Sequence, residues 1–186
     1  IDILILGFFV NNALIGIYQV SWTLASTLIL VSYSIQNTLF PEISELGVDD
    51  DVEQIHHLLT EALVFIGIFA IPGLFGAAII GRELLTIYRP QFALGYGILL
   101  ILILARTFDA YATQFTSVVN GYDRPDLVFR ANVVFVVVNT VLNLVLIWAF
   151  GWYGAAVATA FSALVELVLA YHYVTITIGS PEIPYR

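Results

Sequence analysis

Arg106, Asp109, Thr113, Ser117 and Asn120 recur through Phe92–Asn120, a stretch otherwise apolar enough to cross a bilayer. At 100° per residue they fall within roughly 80° of one helix face. Asp109 lies one turn beyond Arg106, so the two can neutralise each other within the helix. A charge near the middle of a span costs about 2.5–3.5 kcal/mol on insertion scales, and such residues usually face a bundle interior or an aqueous cavity. The spacing therefore points to a transport pathway. It does not name what is transported.

Other segments carry similar seams. Asn132, Asn139 and Asn143 fall within about 40° on Leu127–Phe150. Thr159, Ser162, Glu166 and Tyr173 align on Tyr153–Ile178, and Tyr18, Ser21, Ser32 and Gln36 on the first complete helix. Asp2 adds another acid within a span, a candidate coupling or pathway group. Polar seams on four helices imply a shared polar interior. Such seams also glue helices together, at about 0.6 kcal/mol per contact and at most roughly 1–2. For the asparagines, packing and cavity lining both stand. Asp109 could serve only to neutralise Arg106, whereas Glu166 has no partner nearby in sequence, which favours a functional role.

The remaining singled-out residues have structural readings. Arg130 faces away from the asparagine seam and is expected to snorkel, while Arg82 and Arg89 are expected to anchor an interface. Gly154-Ala155-Ala156, Ala158 and Ala160 form a small-residue surface of the kind that lets helices approach closely. His56 and His57 lie in an acidic segment without ligands at metal-site spacing, so no metal or cofactor is expected. No glycine-rich phosphate loop or serine–histidine–acid set is placed, so the chain looks unlike an enzyme.

These residues must be positioned by membrane helices. Hydrophobic residues make up 60% of the chain and charged residues 11%, with a mean hydropathy of +0.96; soluble domains are about 45–50% apolar. Long apolar runs between short polar joints predict an all-α, polytopic bundle forming a single domain over 1–186. The expected spans are 1–10, cut short, then 13–40, 59–80, 92–120, 127–150 and 153–178. Pro41 is expected to stop the first complete helix, and Glu42–Asp51 to form an acidic loop. An amphipathic segment beginning at Val52 is expected to lie at the interface before the next span, which Pro72 should kink. Arg82–Gln91 and Gly121–Asp126 are expected joints, and Gly179–Arg186 a loop.

The chain begins Ile1-Asp2 and contains no methionine, and it reads as a fragment of a longer chain without a visible signal peptide. Net charge is −8, and every basic residue is arginine. Six acids, Glu42, Glu45, Asp49, Asp50, Asp51 and Glu53, lie close together. Acids without lysine suit a high-salt cytoplasm, as in a salt-loving archaeon. The absence of a basic patch argues against nucleic acid as a partner, and the absence of cysteine excludes disulfides and thiolate sites. Arg124, Arg130 and Arg186 on one side, against Arg82 and Arg89 on the other, favour the first side as cytoplasmic.

Several segments in order resemble the second half of polysaccharide flippases of the multidrug/oligosaccharidyl-lipid/polysaccharide exporter superfamily. They are Asp2-Ile3-Leu4-Ile5-Leu6-Gly7, Ile15-Gly16-Ile17-Tyr18 and Phe40-Pro41-Glu42-Ile43-Ser44. Ala70-Ile71-Pro72, the run from Leu84 to Phe92, Asn120-Gly121-Tyr122-Asp123-Arg124-Pro125, Asn139–Asn143 and Tyr153-Gly154-Ala155-Ala156 complete the set. The joint Tyr88-Arg89-Pro90 departs from the family's aromatic–glycine pattern and is stiffer and more basic.

The resemblance implies two bundles around a cavity with alternating access, this chain supplying most of one and a missing N-terminal half the other. It implies a multi-pass protein of the cell membrane, among membrane lipids, with its acidic segment facing the cytoplasm. Its cargo would be a polyprenyl-linked oligosaccharide for cell-surface polysaccharide or glycan assembly. On that basis Arg106 is expected to attract the carrier's phosphate or pyrophosphate, since a planar guanidinium suits bidentate phosphate. Asparagines and hydroxyls would bond the sugars, and Glu166 could titrate or bind a coupling cation. Two alternatives stay open. One is a cation-coupled multidrug exporter of the same superfamily, which Asp2, Asp109 and Glu166 allow. The other is a non-transporting membrane scaffold for polysaccharide synthesis.

Overall fold

The computed structural model describes residues 2–49 and 51–179; Asp50 of the acidic segment and Pro181, Pro184 and Arg186 of the expected terminal loop lie outside them. Among the described residues the chain forms helices and no strand. These are α1 (Asp2–Phe9), α2 (Asn12–Asp49), α3 (Val52–Tyr88), a 3-10 helix (Pro90–Gly95), α4 (Tyr96–Gly121), α5 (Pro125–Phe150) and α6 (Trp152–Ile178). The last five α-helices, with the 3-10 helix leading into α4, are long and apolar enough to cross a membrane. Their outward faces carry exposed Val64, Phe65, Ile68, Phe69, Ile79, Val145 and Trp148. In a polytopic membrane protein such a surface meets lipid.

Local chemistry sets several boundaries. The Asn11 side chain accepts from the Leu14 amide at 3.0 Å, and Asp51 accepts from Gln54 at 3.2 Å, satisfying free donors at helix starts. Arg89 is extended (φ −164°, ψ 150°), as the residue before a proline is pushed to be. Pro125 opens α5, and Gly151 makes the α5–α6 turn at φ 58°, ψ −139°, where a residue without Cβ meets no steric cost.

Two expected boundaries are corrected. Pro41 does not end α2, and the acidic segment up to Asp49 is helical rather than a loop. The lost backbone bond is outweighed by burial, because Leu39 and Ile43 pack in one core cluster with Ile55, Leu59, Val118 and Val174. The helical segment from Val52 leads into the next span as expected, the two forming one helix that contains Pro72. Arg82–Gln91 is not wholly a joint, since α3 continues to Tyr88 with Leu85 buried, and the break falls at the Arg89-Pro90 bond. At about 1.5 Å per residue, α2 and α3 are each over 50 Å long, more than the roughly 30 Å hydrocarbon core needs.

The central helix is α4, which packs against α2, α3 and α6, while α5 leans on α6. Short α1 contacts α5, α2 and α6, filling one part of the groove between α2 and α5. The small-residue surface works as packing: Gly154, Ala155, Ala156 and Ala158 are buried, and the Gly154 backbone lies against the Leu146 carbonyl. Part of the polar seam on α2 is also glue. Ser32 Oγ donates to Ala110 O at 3.1 Å, and Gln114 Nε2 donates to Ser32 Oγ at 3.0 Å. Ser32→Ala is expected to lower stability by only about 0.6 kcal/mol, as measured by unfolding in detergent. A loss several times larger would show that Ser32 does more than join α2 to α4.

Candidate functional site

The seams converge on a cleft of about 400 Å³ with walls from four helices. Arg106, Asp109, Thr113, Thr116 and Asn120 come from α4, Glu166 from α6, Tyr33 and Gln36 from α2, and Asn132 from α5. Arg106 and Asn120 are 14 residues apart, so this ladder runs about 21 Å along α4. It begins near mid-helix and ends where α4 turns into α5. The α1 helix fills the other part of the α2–α5 groove, which leaves this part open.

Arg106 anchors the inner end. Its Nη1 donates to Asp109 Oδ2 at 2.6 Å, both side chains being 14% exposed. Its guanidinium carbon lies 3.9 Å from the centroid of a Trp22 ring, a cation–π contact that supplements the ion pair. Its Nε is buried without a hydrogen-bond partner. A guanidinium carries five N–H donors, so Arg106 keeps unused donors at the wall of a polar cleft. That arrangement suits an anionic oxygen ligand. Thr113 Oγ1 bonds back to Asp109 O at 2.8 Å, leaving its lone pairs as acceptors. Glu166 forms no ion pair among the described residues.

The expected site residues do not form one group. Asn139 and Asn143 gather instead around Asp2, which is 7% exposed. Asp2 Oδ1 accepts from Asn143 Nδ2 at 2.9 Å; Oδ2 accepts from Thr159 Oγ1 at 2.6 Å and from the Tyr18 hydroxyl at 3.1 Å. Asp2, Tyr18, Trp22, Phe135, Asn139 and Thr159 line a second cavity of about 320 Å³. Phe135 borders both cavities. Ser117 joins neither: it is fully buried, and its Oγ lacks a hydrogen-bond partner. On the helix it lies about 60° from Gln114, between the cleft-lining face and the face that Gln114 turns to α2.

Sequence reasoning passed over Thr116, Tyr33 and Trp22. A wider arc on α4 would have included Thr116, about 80° from Arg106. Trp22 had a signal too, since it follows Tyr18 by one turn and stacks with it at a centroid distance of 6.5 Å. The arginines expected at the periphery, Arg82, Arg89 and Arg130, are exposed. His56 Nε2 lies 2.9 Å from Ile178 O, tying α3 to the end of α6.

A family model described as "Polysaccharide biosynthesis protein" matches residues 1–93 of the 186. The chain belongs to that family. Its relatives include the "Probable flippase AglR" of Haloferax volcanii, 36% identical over 173 residues, covering 91% of this chain and 36% of that protein. The "Probable low-salt glycan biosynthesis flippase Agl15" of the same organism is 30% identical over 175 residues, covering 94% of this chain and 37% of its own length. This member of the family thus spans little more than a third of the length of those relatives. Both relatives carry the names of transporters rather than enzymes. No solved structure matches the chain. Family membership and five apolar helices make it a multi-pass protein of the cell membrane.

Proposed function

We propose that this chain forms one bundle of a flippase that moves a polyprenyl-linked oligosaccharide across the cytoplasmic membrane for cell-surface polysaccharide or glycan assembly. The observation that carries the reading is Arg106, a guanidinium still 14% exposed at mid-span on the wall of a polar cleft. An anionic headgroup can take the donors that Asp109 leaves free, and the name of Agl15, a glycan biosynthesis flippase, agrees with a glycan cargo. A cationic drug would meet repulsion from the same guanidinium.

In this reading Arg106 receives the phosphate or pyrophosphate, and Asp109 holds the guanidinium while the cleft is empty. Thr113, Thr116, Asn120 and Asn132 offer donors and acceptors to sugars along the ladder. Glu166, unpaired in the cleft, and Asp2 are acids available to a coupling ion or proton. The cleft runs towards the acidic end of α2, which would face the cytoplasm, so substrate would enter there. A second bundle, from an N-terminal half, would close the open side. No cofactor is required.

The test is the leaflet distribution of lipid-linked oligosaccharide in cells lacking the gene. Accumulation on the cytoplasmic face, reversed by re-expression, is expected. An unchanged distribution would reject oligosaccharide flipping and favour a scaffold or another cargo.

A further inference from the structure

Arg106 and Asp109 stand side by side without completing their pair. Nη1 donates to Asp109 Oδ2 at 2.6 Å, a single contact. A guanidinium beside a carboxylate frequently closes into a fork of two parallel hydrogen bonds. Here the second oxygen, Asp109 Oδ1, accepts no hydrogen bond among the described residues. Arg106 has donors to offer it: Nε is buried without a partner, and Nη2 donates to no described residue. Both side chains are only 14% exposed, so the second bond is left unmade in a place where it would be strong.

The other contact on the guanidinium is Trp22 of α2. The Arg106 guanidinium carbon lies 3.9 Å from the centroid of its ring, well inside the range of a cation–π contact. The ring is itself braced. Tyr18, one turn earlier on α2, stacks with Trp22 at 6.5 Å with the planes 23° apart. Tyr18 is fully buried, and its hydroxyl donates to Asp2 Oδ2 at 3.1 Å. Helix α2 thus presents a fixed indole face to α4, and the guanidinium lies against it. Stacking uses the face of a guanidinium and leaves its edge for hydrogen bonds. Trp22 and an anion can therefore hold Arg106 together, whereas Asp109 and an anion compete for the same edge.

We infer that Trp22 is a positioning residue for anion binding, which keeps Arg106 from closing a two-bond fork on Asp109 and so leaves a donor edge for a phosphate oxyanion in the cleft. The inference deepens the proposed function and rests on its assignment of Arg106 to the carrier's phosphate. Asp109 holds the guanidinium only while the cleft is empty; Trp22 holds it in both states. Without the ring, the guanidinium turns onto Asp109 and its receptor edge is taken up within the protein. A phosphate must then break a charge-assisted hydrogen bond that the native site does not make.

The test reads binding rather than transport. Full-length protein in lipid nanodiscs is titrated with farnesyl phosphate, with farnesol as the uncharged control and inorganic phosphate as the control without a tail. Farnesyl phosphate should bind in competition with neither at equal strength; equal competition by inorganic phosphate would overturn the assignment to a lipid-borne group, and equal competition by farnesol the anion site itself. Trp22→Leu should weaken binding roughly 10-fold, the lower end of what one hydrogen bond to a charged group is worth. Trp22→Phe keeps an aromatic face and should lose less than about threefold. The deciding arm is Asp109→Asn, which removes the carboxylate on which Arg106 would close. In that background Trp22→Leu should weaken binding by less than about twofold, a coupling that independent sites do not show. An equal loss in both backgrounds would assign the ring to packing and overturn the inference. Trp22→Met, whose side chain adapts its shape, reads the same cycle if Trp22→Leu fails to fold. Native affinity in the Trp22 variants would remove the inference and leave the flippase reading standing. No binding of farnesyl phosphate by the native protein would remove the anion site and the inference together.

Discussion

Arg106→Ala is expected to abolish transfer of lipid-linked oligosaccharide between leaflets. Losing a bidentate contact removes two charge-assisted hydrogen bonds at roughly 1.5–3 kcal/mol each. That corresponds to about 100-fold or more in rate. The same change strands Asp109, whose carboxylate is bonded to Arg106 at 2.6 Å and is 14% exposed. Breaking such a pair costs about 3–5 kcal/mol, so reduced abundance of the single variant would not separate function from folding. The double variant Arg106→Gln/Asp109→Asn removes both charges together and should reach the membrane at wild-type abundance while remaining inactive. Arg106→Lys keeps the charge but loses the planar fork, and should retain partial transport. Wild-type transport by the double variant would refute the role given to Arg106. Recovery of transport in proportion to abundance across the series would favour a structural role for the pair.

Gly154→Val is expected to be the most damaging change outside the polar site. A Cβ at Gly154 would overlap the Leu146 carbonyl, which is backbone and cannot rotate away. The α5–α6 pair would have to separate, uncovering Ala155, Ala156 and Ala158, all of which are 0% exposed. Overpacking a tight core usually costs about 1–3 kcal/mol, and a backbone clash belongs at or above the top of that range. The expected result is a marked fall in the thermal midpoint and in membrane abundance. Gly7→Ala is the control, since a Cβ there has no neighbour within 4 Å. If Gly154→Val and Gly7→Ala unfold alike, the close approach of α5 to α6 does not govern stability.

The change at Gly154 also tests the candidate sites, because α5 and α6 hold Asn132, Asn139, Asn143, Thr159 and Glu166 in place. Loss of the close approach should disturb both clusters together. Losing Arg106 should leave the Asp2 hydrogen bonds to Tyr18, Asn143 and Thr159 intact.

Much of this was legible in the residues. Apolar runs with few charges can satisfy their backbone in a bilayer only as helices, so the all-α membrane class followed from composition. The Arg106–Asp109 pair was legible because helical spacing alone brings the two within reach, and ordered motifs pointed to the family. Other features depended on which helices meet. Pro41 reads as a stop, yet burial of Ile43 between helices distant in sequence carries α2 onward. On a helical wheel Ser117 lies only about 20° from Arg106 and Thr116 about 80°, yet Ser117 is buried and Thr116 lines the cleft. The asparagine seam looked continuous from Asn132 to Asn143. Tertiary structure divided it, because α1 fills one part of the α2–α5 groove and places Asp2 against Asn143. Periodicity fixes the face of a helix on which a polar group lies, through local geometry. Which partner that face meets is decided by packing between distant segments, and here packing separated a cleft suited to an anionic headgroup from a buried carboxylate ringed by oxygens.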